Sequence, residues 1–168
     1  PMSDYFDHSY TSWKLIIATP LFVITGLMVS AFLSTVSAIW FHNYVEESLA
    51  SLQQENALIV ILAYAILPAL IEELMFRGVM MKLLGRRMRS VIISAALFAL
   101  LHTNINQIIY AFFMGILLGI MMYLTGNLLY SIIVHLCFNL YSIILILEPD
   151  YLKFLDPYYR LTGSLAGK

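Results

Sequence analysis

With 168 residues, 61% of them hydrophobic, only 11% charged and a mean hydropathy of +0.86, the chain lies far from a soluble domain, which is roughly half apolar and a quarter charged. Long apolar runs with few charges mark helices that cross a bilayer. A net charge of −1 gives no basis for a nucleic-acid partner, and the single cysteine, Cys137, excludes an internal disulfide.

The first apolar run, 13–41, is too long for the hydrophobic region of a signal peptide and has no small-residue cleavage site, so it reads as a membrane anchor. A polar stretch, 42–55, carries Glu46, Glu47 and Glu55 and is expected to lie along the interface. The second span, 57–84, is interrupted by Glu72, Glu73 and Arg77. The third, 91–102, ends near Thr103 and Asn104, and the fourth, 108–124, closes at the turn pair Gly126-Asn127. The fifth, 128–147, stops at Glu148-Pro149, because proline cannot continue a helix.

Helices are expected throughout: a bilayer core demands internally satisfied backbone hydrogen bonds, and the spans lack the alternation of barrel strands. The fold class is therefore all-α, a polytopic transmembrane helical bundle of about five spans. Lys82, Arg86, Arg87 and Arg89 cluster between the second and third spans, which places that loop, and with it Lys14 and the N-terminus, in the cytoplasm. The C-terminus then falls outside. Tyr10, Trp13, Trp40 and Tyr151 suit an interfacial aromatic belt, and Gly115 with Gly119 suits close helix packing within the bundle.

Charges inside a span need a reason, since one at the bilayer centre costs about 3 kcal/mol on insertion scales. Glu73 and Arg77 stand at i and i+4 with the glutamate first, the favourable order for a helical ion pair. Glu72 is left over, about 100° around the helix. His102 and His135 lie in other spans, and Asn139 shares a helix face with His135. At a rise of about 1.5 Å per residue, Glu72 and His102 lie roughly 15–20 Å from the basic loop, and His135 and Asn139 about 12–18 Å from the inner turn. Groups from separate helices at one depth, near the middle of a ~30 Å core, imply a shared polar cavity.

Glu72-Glu73-Leu74-Met75-Phe76-Arg77 has the form EExxxR, Phe98 to His102 the form FxxxH, and His135 to Asn139 the form HxxxN. In this order the motifs resemble those of the CAAX protease and bacteriocin-processing family, also called the Abi family, which includes the Ras-converting CAAX endopeptidases. The resemblance covers roughly 57–148 and implies a glutamate-type intramembrane endopeptidase. It implies that Glu72 with His102 activates the hydrolytic water, that His135 and Asn139 stabilise the oxyanion, and that Glu73 and Arg77 support the site. The chain would then divide into an N-terminal tail, first helix and interfacial loop (1–56), a four-helix catalytic core (57–148) and an extramembrane tail (149–168).

The chemistry asks for these residue types independently. Amide hydrolysis needs a base for water, an acid for the leaving amine and preorganised donors for the oxyanion, which a carboxylate, imidazoles and a side-chain amide supply. Cys137 lies on the wrong face to pair with His135, two residues away. Phe98 reads as packing. The expected partners are a protein or peptide substrate, lipid-modified where a CAAX-type preference holds, and membrane lipids.

No cofactor is expected. Zinc held by Glu72, His102 and His135 is the mechanistic rival, although HExxH is absent and the ligands are spread over three helices. Two functional rivals are a non-catalytic membrane immunity or regulatory protein and a proton relay through Glu72 and the histidines.

Overall fold

The computed structural model describes residues 13–42, 44, 52, 55–85 and 87–147. The expected interfacial piece with Glu46 and Glu47, Arg86 of the basic loop, Tyr10, Tyr151, the Glu148-Pro149 stop and the C-terminal tail lie outside the described residues. Among the described residues there are five long helices and no strand. They are α1 (Trp13–Ser37), α2 (Ala57–Leu84), α3 (Met88–Leu100), α4 (Ile105–Thr125) and α5 (Leu128–Leu147).

Three segments are long and apolar enough to cross a membrane: Ile17–Ser37, Ala57–Leu84 and Ile105–Thr125. Helix α3, with 13 residues, reaches about 20 Å at the α-helical rise, short of a ~30 Å core. The outward faces are apolar rather than polar: Leu83 is 82% exposed, Leu58 77% and Phe32 65%. Such faces suit lipid, and the polar side chains turn inward instead.

Helix α2 is not uniformly α-helical. Two wide, π-type turns, Leu62–Ile66 and Leu74–Met80, flank an ordinary stretch, Leu67–Glu73, that ends on the paired glutamates. Pro68 is the second residue of that stretch. Lacking an N–H, it cannot complete the preceding α-turn, which accounts for the first wide turn. A uniform 1.5 Å rise therefore holds for α2 only in pieces.

The fourth helix begins at Ile105, three residues before the position expected from hydrophobicity. Asn104 is extended (φ −99°, ψ 124°), and its side-chain oxygen accepts from the Asn106 backbone N–H, an N-cap that starts the helix. Asn106 is polar but fully buried. Its amide donates to the Ser34 carbonyl and to Ser37 Oγ, both at 2.8 Å, and its oxygen accepts from Ser34 Oγ at 3.1 Å, tying α4 to α1.

Helices α3 and α4 touch through glycine. A Cβ on Gly115 would stand 2.8 Å from the Ala95 Cα, and one on Gly119 2.8 Å from Val91 Cγ1. The small-xxx-small spacing is thus a contact inside the bundle. One apolar cluster joins α4 and α5 around Leu118, Met121 and Val134. A second, with Phe76, Phe98, Ala99 and Ala111, packs α2, α3 and α4 beside Arg77.

Candidate active site

Glu73 and Arg77 are both fully buried. Arg77 Nη1 donates to Glu73 Oε1 at 2.7 Å, the i,i+4 pair read from the sequence. Nη2 donates to the Gly115 carbonyl at 3.0 Å, a bond that the close α3–α4 contact helps to set. The guanidinium also lies 4.7 Å from the centroid of the Phe98 ring, within cation–π range. A buried cation is tolerable on these terms: an opposite charge, a carbonyl and an aromatic face together replace water.

Glu73 has a second partner that spacing could not reveal. His135 Nδ1, from α5, lies 2.9 Å from the same Oε1. With Glu73 ionised beside Arg77, the ring donates its Nδ1–H there, and Nε2 becomes the nitrogen left for chemistry. Nε2 faces Glu72, whose Oε2 is 3.8 Å away. Glu72 itself is half-buried, its side chain 30% exposed against 7% for His135. The two adjacent glutamates thus have different surroundings: Glu73 is committed to Arg77 and His135, while Glu72 stands more open at the free side of the imidazole. Glu73 Oε2 has no hydrogen-bond partner, so acceptor capacity remains in the interior of the cluster.

His102 joins the group through Phe98. Its Nδ1 makes a 3.0 Å hydrogen bond to the Phe98 carbonyl, where only a donating N–H fits, so Nε2 carries the lone pair. The two rings lie 5.2 Å apart at 65°, and Phe98 stands 5.7 Å from the His135 ring at 81°. One phenyl ring therefore touches both histidines. Asn139 lies one turn beyond His135 on α5, and its Nδ2 makes a long 3.4 Å bond to the Ala65 carbonyl in the first wide turn of α2. An amide nitrogen carries two hydrogens, so one donor remains.

Arg77, Glu73, His135 and Glu72 follow one another as a chain of contacts, His102 is connected by way of Phe98, and Asn139 is anchored to the α2 backbone. Among the described residues, no three His, Cys, Asp or Glu side chains converge as ligands of a metal ion. Phe98, expected to pack, does so as part of the buried apolar cluster, and its ring also lies against both histidines, a contact that its i,i+4 relation to His102 foretells for that histidine alone. The Gly115 carbonyl has no side-chain signature at all.

A family model described as Type II CAAX prenyl endopeptidase Rce1-like matches residues 54–141, a stretch that contains all three motifs. No curated protein and no solved structure matches the chain. With apolar helices of spanning length and this match, the chain is a membrane protein that belongs to the Rce1-like family of type II CAAX prenyl endopeptidases, a peptidase family.

Proposed function

We propose that the chain is a multi-pass intramembrane endopeptidase that hydrolyses a peptide bond of a membrane-associated protein or peptide, with Glu72, His102, His135 and Asn139 as its reaction centre. The observation that carries this reading is the division of labour around His135: Nδ1 is 2.9 Å from Glu73 and Nε2 is 3.8 Å from Glu72. The catalytic core is 57–148, the helices α2 to α5.

In the proposed reaction, ionised Glu72 takes a proton from water while His102 Nε2 orients that water as an acceptor. The hydroxide adds to the scissile carbonyl carbon. The oxyanion is met by the free N–H of Asn139 and by His135 Nε2, which donates when the ring carries both protons. Collapse breaks the C–N bond, and the proton held by Glu72 passes to the leaving amine. Glu73 and Arg77 support the site by fixing the plane and the bonded nitrogen of His135.

The hydrolysis is proposed to run without metal. The arrangement supports this, because among the described residues Glu72, His102 and His135 do not converge as a set of metal ligands. The N-terminus is proposed to be cytoplasmic and the C-terminus outside, on the basic cluster of Lys82, Arg86, Arg87 and Arg89.

The test uses purified protein in detergent and an internally quenched peptide ending in a farnesylated CAAX sequence, with an unprenylated twin. Glu72→Gln, His102→Ala and His135→Ala should each lower kcat by roughly 100-fold or more, the scale of losing an acid–base group or an oxyanion donor. Folded variants that keep full turnover would sink the assignment. Activity should survive chelators; loss on chelation with recovery on adding zinc would support the metal rival instead. Cleavage of the unprenylated twin at an equal rate would remove the prenyl group from the specificity.

A further inference from the structure

We propose that Phe98 is a positioning residue of this centre, its single ring setting the attitude of both imidazoles and holding the guanidinium that orders Glu73. The inference rests on the hydrolytic reading above and adds a residue to it.

Four side chains meet the Phe98 ring, which is 3% exposed. The Arg77 guanidinium lies 4.7 Å from its centroid. The rings of His102, Phe76 and His135 lie at 5.2, 5.4 and 5.7 Å, with interplanar angles of 65°, 87° and 81°. These contacts are directional. A phenyl face is negative and attracts a cation, and the quadrupole favours near-perpendicular neighbours. An aliphatic side chain of similar bulk fills the volume but specifies no angle.

The two histidines depend on the ring in different ways. His102 is held twice by the same residue, through the Phe98 carbonyl and through the ring. His135 comes from another helix, and besides the two glutamates this ring is what fixes its plane. A nitrogen that must point at water and a nitrogen that must point at the oxyanion are thereby referred to one rigid group. Arg77 shares that group, so the charge that holds Glu73 against His135 is aligned with the same reference. A residue of the core alone needs volume; this one also supplies an electrostatic shape.

The decisive experiment replaces Phe98 by mono-, tri- and pentafluorophenylalanine, which drain the negative ring face while nearly preserving shape. Turnover is followed with the farnesylated quenched peptide in detergent. We expect kcat to fall stepwise, reaching roughly tenfold (about 1.4 kcal/mol) at the pentafluoro ring, with KM within about twofold, while the thermal midpoint falls modestly because the ring face also steadies buried Arg77. The pH profile of kcat should change shape along the series, because both imidazoles lose their reference. Phe98→Leu should lose roughly 100-fold; if it does not fold, the fluorinated series still decides.

A flat kcat and an unchanged pH profile across the series overturn the proposal and return Phe98 to core packing. Glu72→Gln, assayed alongside, separates the two failures. If Glu72→Gln turns over normally, the hydrolytic reading falls and the positioning role falls with it. If Glu72→Gln is inactive while the series is flat, only the role of Phe98 is lost.

Discussion

Glu73 Oε1 accepts from Arg77 at 2.7 Å and lies 2.9 Å from His135 Nδ1, so a single oxygen links a buried cation to the imidazole of another helix. Removing one member of a buried pair leaves an uncompensated charge, which costs about 3–5 kcal/mol, whereas replacing both by neutral groups of similar size is far cheaper. Arg77→Met alone should therefore lower the thermal midpoint in detergent strongly, and Glu73→Gln with Arg77→Met should recover most of that loss. The side-chain amide oxygen that Glu73→Gln introduces can still accept from His135 Nδ1, so the recovered protein should keep the histidine contact but not its charge balance. A double variant no more stable than Arg77→Met would show that the pair is not the source of the cost.

This scale was also the most legible one. The i,i+4 order of Glu73 and Arg77 foretold their bond, because helical spacing is a local property. The bond from His135 to Glu73 joins residues 62 apart in sequence, which no local pattern encodes. The sequence reading consequently set Glu73 aside as support, away from the histidine it holds.

At the level of helices, the α3–α4 seam decides where the Gly115 carbonyl stands relative to Arg77. A Cβ at Gly115 would meet the Ala95 Cα at 2.8 Å, which is backbone and cannot rotate away. At Gly119 the nearest atom is Val91 Cγ1, also at 2.8 Å, a side-chain atom. Overpacking of this kind costs about 1–3 kcal/mol. Gly115→Ala should part the helices, lengthen the 3.0 Å bond from Arg77 and lower kcat as well as stability. Gly119→Ala should mainly lower stability, and Val91→Ala should restore it by removing the colliding methyl. Thermal midpoints and turnover of the three variants check both halves. Equal behaviour of Gly115→Ala and Gly119→Ala would mean that the carbonyl plays no part.

Helix existence was readable from apolar runs, but helix ends and interiors were less so. The apolar span begins only at 108 and leaves polar Asn106 outside it, yet its partners Ser34 and Ser37 on α1 make it a buried residue of α4. The first wide turn of α2 had a sign in Pro68; the second, Leu74–Met80, had none.

For the molecule as a whole, direction in the bilayer has the largest consequence, since under the proposed function it determines from which side a substrate segment enters. Five helices give no orientation by themselves, because apolar surfaces are symmetric to lipid. The asymmetry is electrostatic: Lys82, Arg87 and Arg89 gather at the α2–α3 turn, whereas the connections at the opposite ends of these helices, 42–56 and 101–104, carry no lysine or arginine. Basic residues flanking short loops stay with the cytoplasm. A cysteine introduced at Gly85, whose neighbourhood is open, in a Cys137→Ser background should react with a membrane-impermeant maleimide only after the cytoplasmic face is made accessible. Its backbone is at φ +80°, where a side chain is strained, so a second cysteine at exposed Leu83 guards against a local refolding artefact. Labelling of both positions in intact cells would invert the topology. In that case the Glu72 side of the site would open toward the opposite leaflet, and candidate substrates would have to be sought among segments presented from outside.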